Sequence, residues 1–196
     1  MRAKDKNIRG KIISNALKIF AKEGFFKTTV DDIAQATDVA KGTLYLYFKD
    51  KASLYISVIE EHFKMGIDYL HRIEKEPMTS TKKLEKIADE WIDTMIQLKS
   101  SFFMFSMENI NLSSKIMKAV KPTMNARLKE MIDIFARIIE QGIAKKEFRK
   151  IEPRLAALHY LNTIHTGFFI NFIVPEKQVN KNELLKLFFD GLKKRR

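Results

Sequence analysis

The stretch Thr29–Leu54, TVDDIAQATDVAKGTLYLYFKDKASL, constrains this chain more than any other. Two short helical patterns are separated by only a few residues. Thr29 stands ahead of Val30-Asp31-Asp32, where its hydroxyl can accept from the Asp32 amide. The two carboxylates then fall in the first turn, at the positive end of the helix dipole. Val30, Ile33 and Ala34 give an apolar face. Thr37-Asp38 interrupts the pattern, and a second helix starts near Ala40 or Lys41. Leu44 and Phe48 bury against the first helix, which turns Gly42, Thr43, Leu46 and Tyr47 outward and leaves Tyr45 nearer the Leu44 side. A helix of about two turns that spends a glycine, a leucine and a tyrosine on solvent is poorly explained by solvation. A glycine at its start lets another backbone come close. This is the layout of a helix-turn-helix whose second helix can enter a DNA groove.

The same residues resemble the DNA-binding domain of TetR-type transcriptional repressors, whose pattern is roughly T-x-x-x-I-A-x-x-A-G-V-x-K-G-x-L-Y-x-Y-F-x-x-K-x-x-L. This chain has Thr29, Ile33, Ala34, Val39, Lys41, Gly42, Leu44, Tyr45, Tyr47, Phe48, Lys51 and Leu54 at the matching places. Upstream, Ile12, Ala16, Leu17, Phe20, Gly24 and Phe25 also fit. By motif the resemblance covers about the first 55 residues. It implies that Thr29, Tyr47 and Lys51 contact phosphates and that Gly42, Thr43, Tyr45 and Leu46 face the groove, with Lys41 and Lys49 beside them. Thr37-Asp38 stands where the family usually has Ala-Gly. Asp tolerates a left-handed turn better than most residues. Leu46 can meet a thymine methyl but cannot read a guanine.

Charge agrees with a polyanionic partner. The net charge is +12, and residues 1–51 hold eleven Lys and Arg against six Asp and Glu. Arg2, Lys4, Lys6, Arg9 and Lys11 form a basic arm that either lies along a minor groove or frays into solvent. Lys193, Lys194, Arg195 and Arg196 read as a solvated helix end.

Beyond Lys51 the pattern is helical throughout. A helix over Lys51–Glu74 is long enough to connect a head to a body. Further helices are expected over Ser80–Leu98, Ser100–Asn109, Ser113–Ala119, Pro122–Ala144, Arg154–Ile173 and Lys181–Leu192. The expected fold is therefore all-α with about nine to ten helices. Residues 1–50 form a three-helix DNA-binding domain, and residues 51–196 form an effector-binding and dimerisation domain.

In that second domain, Arg154–Ile173 carries two stripes. Ala157, Leu161, Ile164 and Phe168 suit the chain's own core. Ala156, Tyr160, Thr163 and Gly167 suggest a closely packed partner subunit. The resemblance implies a four-helix homodimer interface, here from Met124–Ala144 and Arg154–Ile173, and a twofold dimer reads two half-sites of a palindromic operator. Fifteen Phe and nine Met point to a mostly apolar pocket for a small hydrophobic effector. Its candidate lining is His62, Trp91, Phe102, Phe105, Asn109, Asn162, His165, Phe168 and Phe169. His71 reads as solvated.

Other functions find little support. With no cysteine there is no disulfide, thiol nucleophile or thiolate metal site. Neither a nucleophile elbow nor a phosphate-cradling glycine loop is present. Adjacent acids such as Asp31-Asp32 and Glu60-Glu61 diverge on a helix. No histidine pair has metal-ligand spacing with a carboxylate, so neither metal, cofactor nor enzyme activity is expected. The lack of a signal peptide or long apolar run predicts a cytoplasmic protein with no membrane association. The leading expectation is a repressor on a double-stranded DNA operator, released by its effector through the Lys51–Glu74 lever. Two alternatives are an effector-independent helix-turn-helix protein and an all-helical carrier or enzyme for lipid-like molecules.

Overall fold

A computed structural model describes residues 6–97, 114–173 and 180–192. Eight helices occupy them: α1 (Lys6–Glu23), α2 (Val30–Thr37), α3 (Lys41–Tyr47), α4 (Lys51–Lys75), α5 (Ser80–Gln97), α6 (Ser114–Ala144), α7 (Pro153–Ile173) and α8 (Lys181–Leu192). No strand occurs among the described residues. The expected nine to ten helices become eight for two reasons. The one expected at Ser100–Asn109 lies outside the described residues. The two expected on either side of Lys121 are a single helix, with Pro122 inside it. Ile116 and Val120 are buried in the first core and Met124 packs against it. Burying such side chains is worth roughly 1.5–3 kcal/mol each, which outweighs the roughly 3 kcal/mol that an interior proline costs.

The chain divides into two compact units. One comprises Met1–Met65 and Leu98–Asn125, the other Gly66–Gln97 and Ala126–Arg196. The division expected at residues 50 and 51 falls inside the first unit. The first turns of α4 supply Leu54, Tyr55, Val58 and Ile59 to the same core as α1, α2 and α3.

That first core starts from an α1 stripe of Ile12, Ala16 and Phe20, each fully buried. The helix stops at Gly24, whose φ of 84° is readily adopted only without a Cβ. Phe20 and Phe25 then close on the Tyr55 ring, with centroids 5.2 and 4.8 Å away.

In the second unit, Leu70 and Ile73 of α4 are buried, as are Leu84, Ile87 and Ala88 of α5 and Ile134, Phe135, Ile138 and Ile139 of α6. α7 packs on α5 and α8. Its Tyr160 is fully buried and donates its hydroxyl proton to the Leu84 carbonyl. Gly167 is so close-packed that a Cβ there would lie 3.2 Å from Ile92 and Leu184. Ala156, Tyr160 and Gly167 of the stripe expected to meet a partner are thus buried within this chain, and Thr163 is half-buried. α7 is apolar nearly all round, so helical spacing alone could not say which stripe is covered. The faces left in solvent carry Leu155 and Leu158, 61% and 42% exposed.

The loop after α6 binds two helix ends. Glu147 accepts from the Ser80 and Thr81 amides at the start of α5. Arg149 donates from its amide to the Leu192 carbonyl and from Nε to the Gly191 carbonyl at the end of α8.

Candidate nucleic-acid interface

α2 and α3 are fixed locally before they are fixed by packing. The Thr29 hydroxyl accepts from the Asp32 amide at 3.1 Å, and the Thr29 amide donates to the Asp32 carboxylate at 2.7 Å. These reciprocal bonds satisfy donors that a helix start would otherwise leave open. They also hold the Asp32 pKa below the usual carboxylate value. Asp38 ends α2 in the left-handed region, φ 58° and ψ 48°, with its amide bonded back to Ala34 and Gln35. Buried Thr37 donates its hydroxyl proton to the Ile33 carbonyl. This turn aims α3.

Within α3 the fully buried Leu44, with Phe48 just past its end, faces the core. Leu46 is 66% and Tyr45 46% exposed. Gly42 is exposed, and a Cβ there would meet nothing within 4 Å. Thr43 is half-buried. Tyr45 therefore stands farther out than its helical angle predicts. Tyr47, expected outward, is half-buried against the core. Gly42, Tyr45 and Leu46, three and four positions apart, share one exposed side of α3 that a groove could receive.

The cations are placed unequally. Lys49 is exposed. Lys41 pairs with Asp31 at 2.7 Å, linking the starts of α3 and α2, and that hydrogen bond raises its pKa. Lys51 donates to the Phe25 and Thr28 carbonyls at 2.7 and 2.8 Å and lies over the Phe25 ring. Its ammonium holds the α1–α2 connection. Thr29 likewise has both its amide and its hydroxyl proton directed at Asp32. The capping leaves open the first-turn amides of α2 at Val30 and Asp31, which no side-chain motif marks. The arm residues Arg2 and Lys4 lie outside the described residues.

Of the candidate effector residues, His62, Trp91, Asn162 and His165 are described with their side chains. Phe102, Phe105 and Asn109 lie outside the described residues, as do the side chains of Phe168 and Phe169. His62 belongs to the first unit and is half-buried. In the second unit, Trp91 is half-buried, edge-on to Phe135, and Asn162 is exposed. His165 is half-buried. Burial lowers the pKa of His62 and of His165. A depression of about 360 Å³ between α5 and α8 is lined by Glu85, Asp89, Asn182, Leu185, Lys186, Phe189 and Asp190. It includes none of the expected lining and is acidic rather than apolar.

His71, expected in solvent, has a side chain 41% exposed. Its two ring nitrogens also approach Glu74 and Glu130 at 3.4 and 3.5 Å, because α6 brings Glu130 alongside α4. Glu74 also pairs with Arg137. Burial works against the Glu74 carboxylate, but Arg137 and His71 together hold its pKa below the usual value. Among the described residues, no group of three His, Cys, Asp or Glu side chains could hold a metal ion. No described helix is long and apolar enough to cross a membrane.

Residues 12–58 match the family of bacterial regulatory proteins called tetR. The fatty acid metabolism regulator protein of Bacillus subtilis (strain 168) is 28% identical, across 92% of this chain and 93% of its own. A negative transcriptional regulator of the icaADBC biofilm operon, IcaR of Staphylococcus aureus (strain Newman), is 39% identical over 66 residues, about a third of each chain. Among solved structures, the transcriptional regulator FadR from Bacillus subtilis in complex with stearoyl-CoA superimposes with a TM-score of 0.74. The identity is 25%, with 93% of this chain and 98% of that one covered.

Proposed function

We propose that the chain, whose residues 12–58 match the tetR family of bacterial regulatory proteins, is a sequence-specific transcriptional repressor, homodimeric on a palindromic operator and released by a hydrophobic effector. The observation that carries this reading is the α3 patch. A fully buried Leu44 fixes the helix, and beside it Gly42, Tyr45 and Leu46 are left to solvent. Gly42 admits close approach, Leu46 offers an apolar contact to a thymine methyl, and Tyr45 offers a hydroxyl. Phosphates are gripped by Lys49, by Tyr47 at the core edge and by the first amides of α2. Lys41 joins them by releasing Asp31. Thr29 and Lys51 serve the interface by shaping it rather than by donating to it.

The dimer forms through α6 and α7, with Leu155 and Leu158 against a partner copy. An exposed, uncharged pair of leucines one turn apart suits a self-complementary surface. For the effector we infer a long-chain acyl thioester, since FadR, the similar regulator from Bacillus subtilis, holds stearoyl-CoA.

Selection of bound fragments from random duplex, followed by a gel-shift titration with stearoyl-CoA, tests both parts. An enriched inverted repeat whose shift is abolished by stearoyl-CoA is the expected result. Binding with no preferred repeat overturns the specific regulator. A shift indifferent to stearoyl-CoA overturns the effector class.

A further inference from the structure

A surface rich in cations lies where α4 ends, α5 begins and α6 ends, all within the second compact unit. Buried Lys83 of α5 donates to the Glu74 carbonyl of α4 at 2.5 Å and to the Gln141 side chain of α6 at 3.1 Å. Glu147, in the loop after α6, accepts from the Ser80 and Thr81 amides. Arg149 of the same loop holds the last carbonyls of α8. These contacts gather residues far apart in sequence: Lys75, Lys82, Lys145, Lys146, Arg149 and Lys150, each exposed. Directly after Leu192 the sequence runs Lys193-Lys194-Arg195-Arg196, so a further basic run starts from the helix end that Arg149 holds.

Charge is shared out unevenly here. Glu74 is engaged by Arg137 and His71, and Glu76 by Lys86. Glu147 and Glu152 each accept from the backbone amides of a helix start, and Glu140 acts on Arg137. Exposed Glu85, Asp89 and Asp190 stand together in the depression between α5 and α8 instead. Lys75, Lys82, Lys145, Lys146 and Lys150, by contrast, have no ion pair among the described residues. Their field is felt inside the unit: burial lowers the pKa of Lys83, and the Lys145 charge lowers it further.

The makeup of this face narrows its partner. No large hydrophobic side chain is exposed within 75–83 or 144–152. Protein interfaces are short of lysine and centre on apolar or aromatic anchors. Helices that lie on bilayers embed apolar side chains beside their cations. A phosphate backbone needs neither, because spaced lysines release its counterions without a close fit.

We propose that this face of the second unit is a further binding surface for duplex DNA, blind to sequence and carried by a different unit from α3. It goes beyond the repressor reading and needs neither α3 nor an effector. The full chain is titrated with a fluorescent duplex of arbitrary sequence over a salt series. One background is natural; in the other, Leu46→Glu and Lys49→Glu, both exposed, disable the α3 surface. Lys145→Gln, Lys146→Gln and Lys150→Gln are then added to each.

The chain with α3 disabled is expected still to bind duplex at low salt. The three Gln substitutions should weaken that binding about tenfold or more and flatten the slope of log K against log salt by about 2 to 3. Arg at the same three positions should keep both. In the natural background the Gln substitutions should weaken a preferred repeat and an arbitrary duplex by the same factor. Loss of all duplex binding when α3 is disabled, or a slope that Gln leaves unmoved, overturns the proposal. So does pelleting with phosphatidylglycerol vesicles in place of duplex binding. A natural chain with no preferred repeat defeats the repressor reading instead, and the lysine comparison still decides this surface.

Discussion

In α3, Tyr45 and Leu46 stand out of a helix seven residues long whose one buried side chain is Leu44. In α7, Leu155 and Leu158 stand out of a helix of 21 residues that is apolar on nearly every side. Both helices leave large side chains in water, but their surroundings differ. The α3 patch is flanked by Lys41 and Lys49 and opened by a glycine, so it suits something charged and ridged that must come close. Only Arg154 among the α7 residues carries a full charge, so its open face suits a surface like itself. Exposure alone therefore identifies no partner; the charges and the small residues beside it do.

The largest effect expected lies in α7. Replacing Leu155 and Leu158 together by Glu should give a monomer in sedimentation and cost about a hundredfold or more in operator affinity. A dimer that survives this change would place the partner elsewhere. In the head, Lys51→Met should cost about 1–3 kcal/mol in denaturant unfolding, because two carbonyls lose a charged donor. A variant of unchanged stability that binds DNA weakly would return Lys51 to the phosphate-contacting group. Gly42→Ala should do the reverse. It fits without a clash and should leave stability equal or higher, yet weaken operator binding about tenfold, or 1.4 kcal/mol. Smaller still, Asp38→Gly should raise stability by about 1 kcal/mol, since the turn is left-handed.

The head was legible because its constraints are short-range. Thr29, Asp32 and Asp38 act on atoms within four residues of themselves, so their sequence spacing is their geometry. The family resemblance supplied the order of α2 and α3, and Leu44 and Phe48 took the buried places that their spacing predicts. What spacing could not tell is how donors are divided. Lys51 reaches a loop more than twenty residues upstream, and no periodicity carries that. α7 was illegible for the opposite reason. Its polar residues are too few and too evenly spread to mark a face, so spacing points the stripe with small residues at a partner, whereas its Tyr160 and Gly167 meet α5 and α8. Pro122 misled because its local cost is real, and the burial of Ile116 and Val120 outweighs it.

A pH series gives the smallest effect and separates the two regions again. Burial lowers the pKa of His62 in the head and of His165 in the body. Each is favoured neutral when folded, while the unfolded chain takes up protons near pH 6.5. Stability should therefore fall as the pH drops below about 6.5, down to the lower folded pKa. Glu74, with its lowered pKa, loses its own contribution at lower pH, as the carboxylate protonates. Melting at pH 7.5 and 5.5 should show a drop of a few degrees. His62→Gln and His165→Gln should each flatten it in part. A drop untouched by either would assign the acid sensitivity to carboxylates.

The short segment carrying Glu147 and Arg149 grips the first amides of α5 and the last carbonyls of α8 at once. A nick or trimming that removes Gly191 and Leu192 would release the arginine and slacken the segment. The loss would then be felt at Ser80, more than a hundred positions earlier in the chain. Any change that removes the Gly191 and Leu192 carbonyls therefore also alters the root of α5.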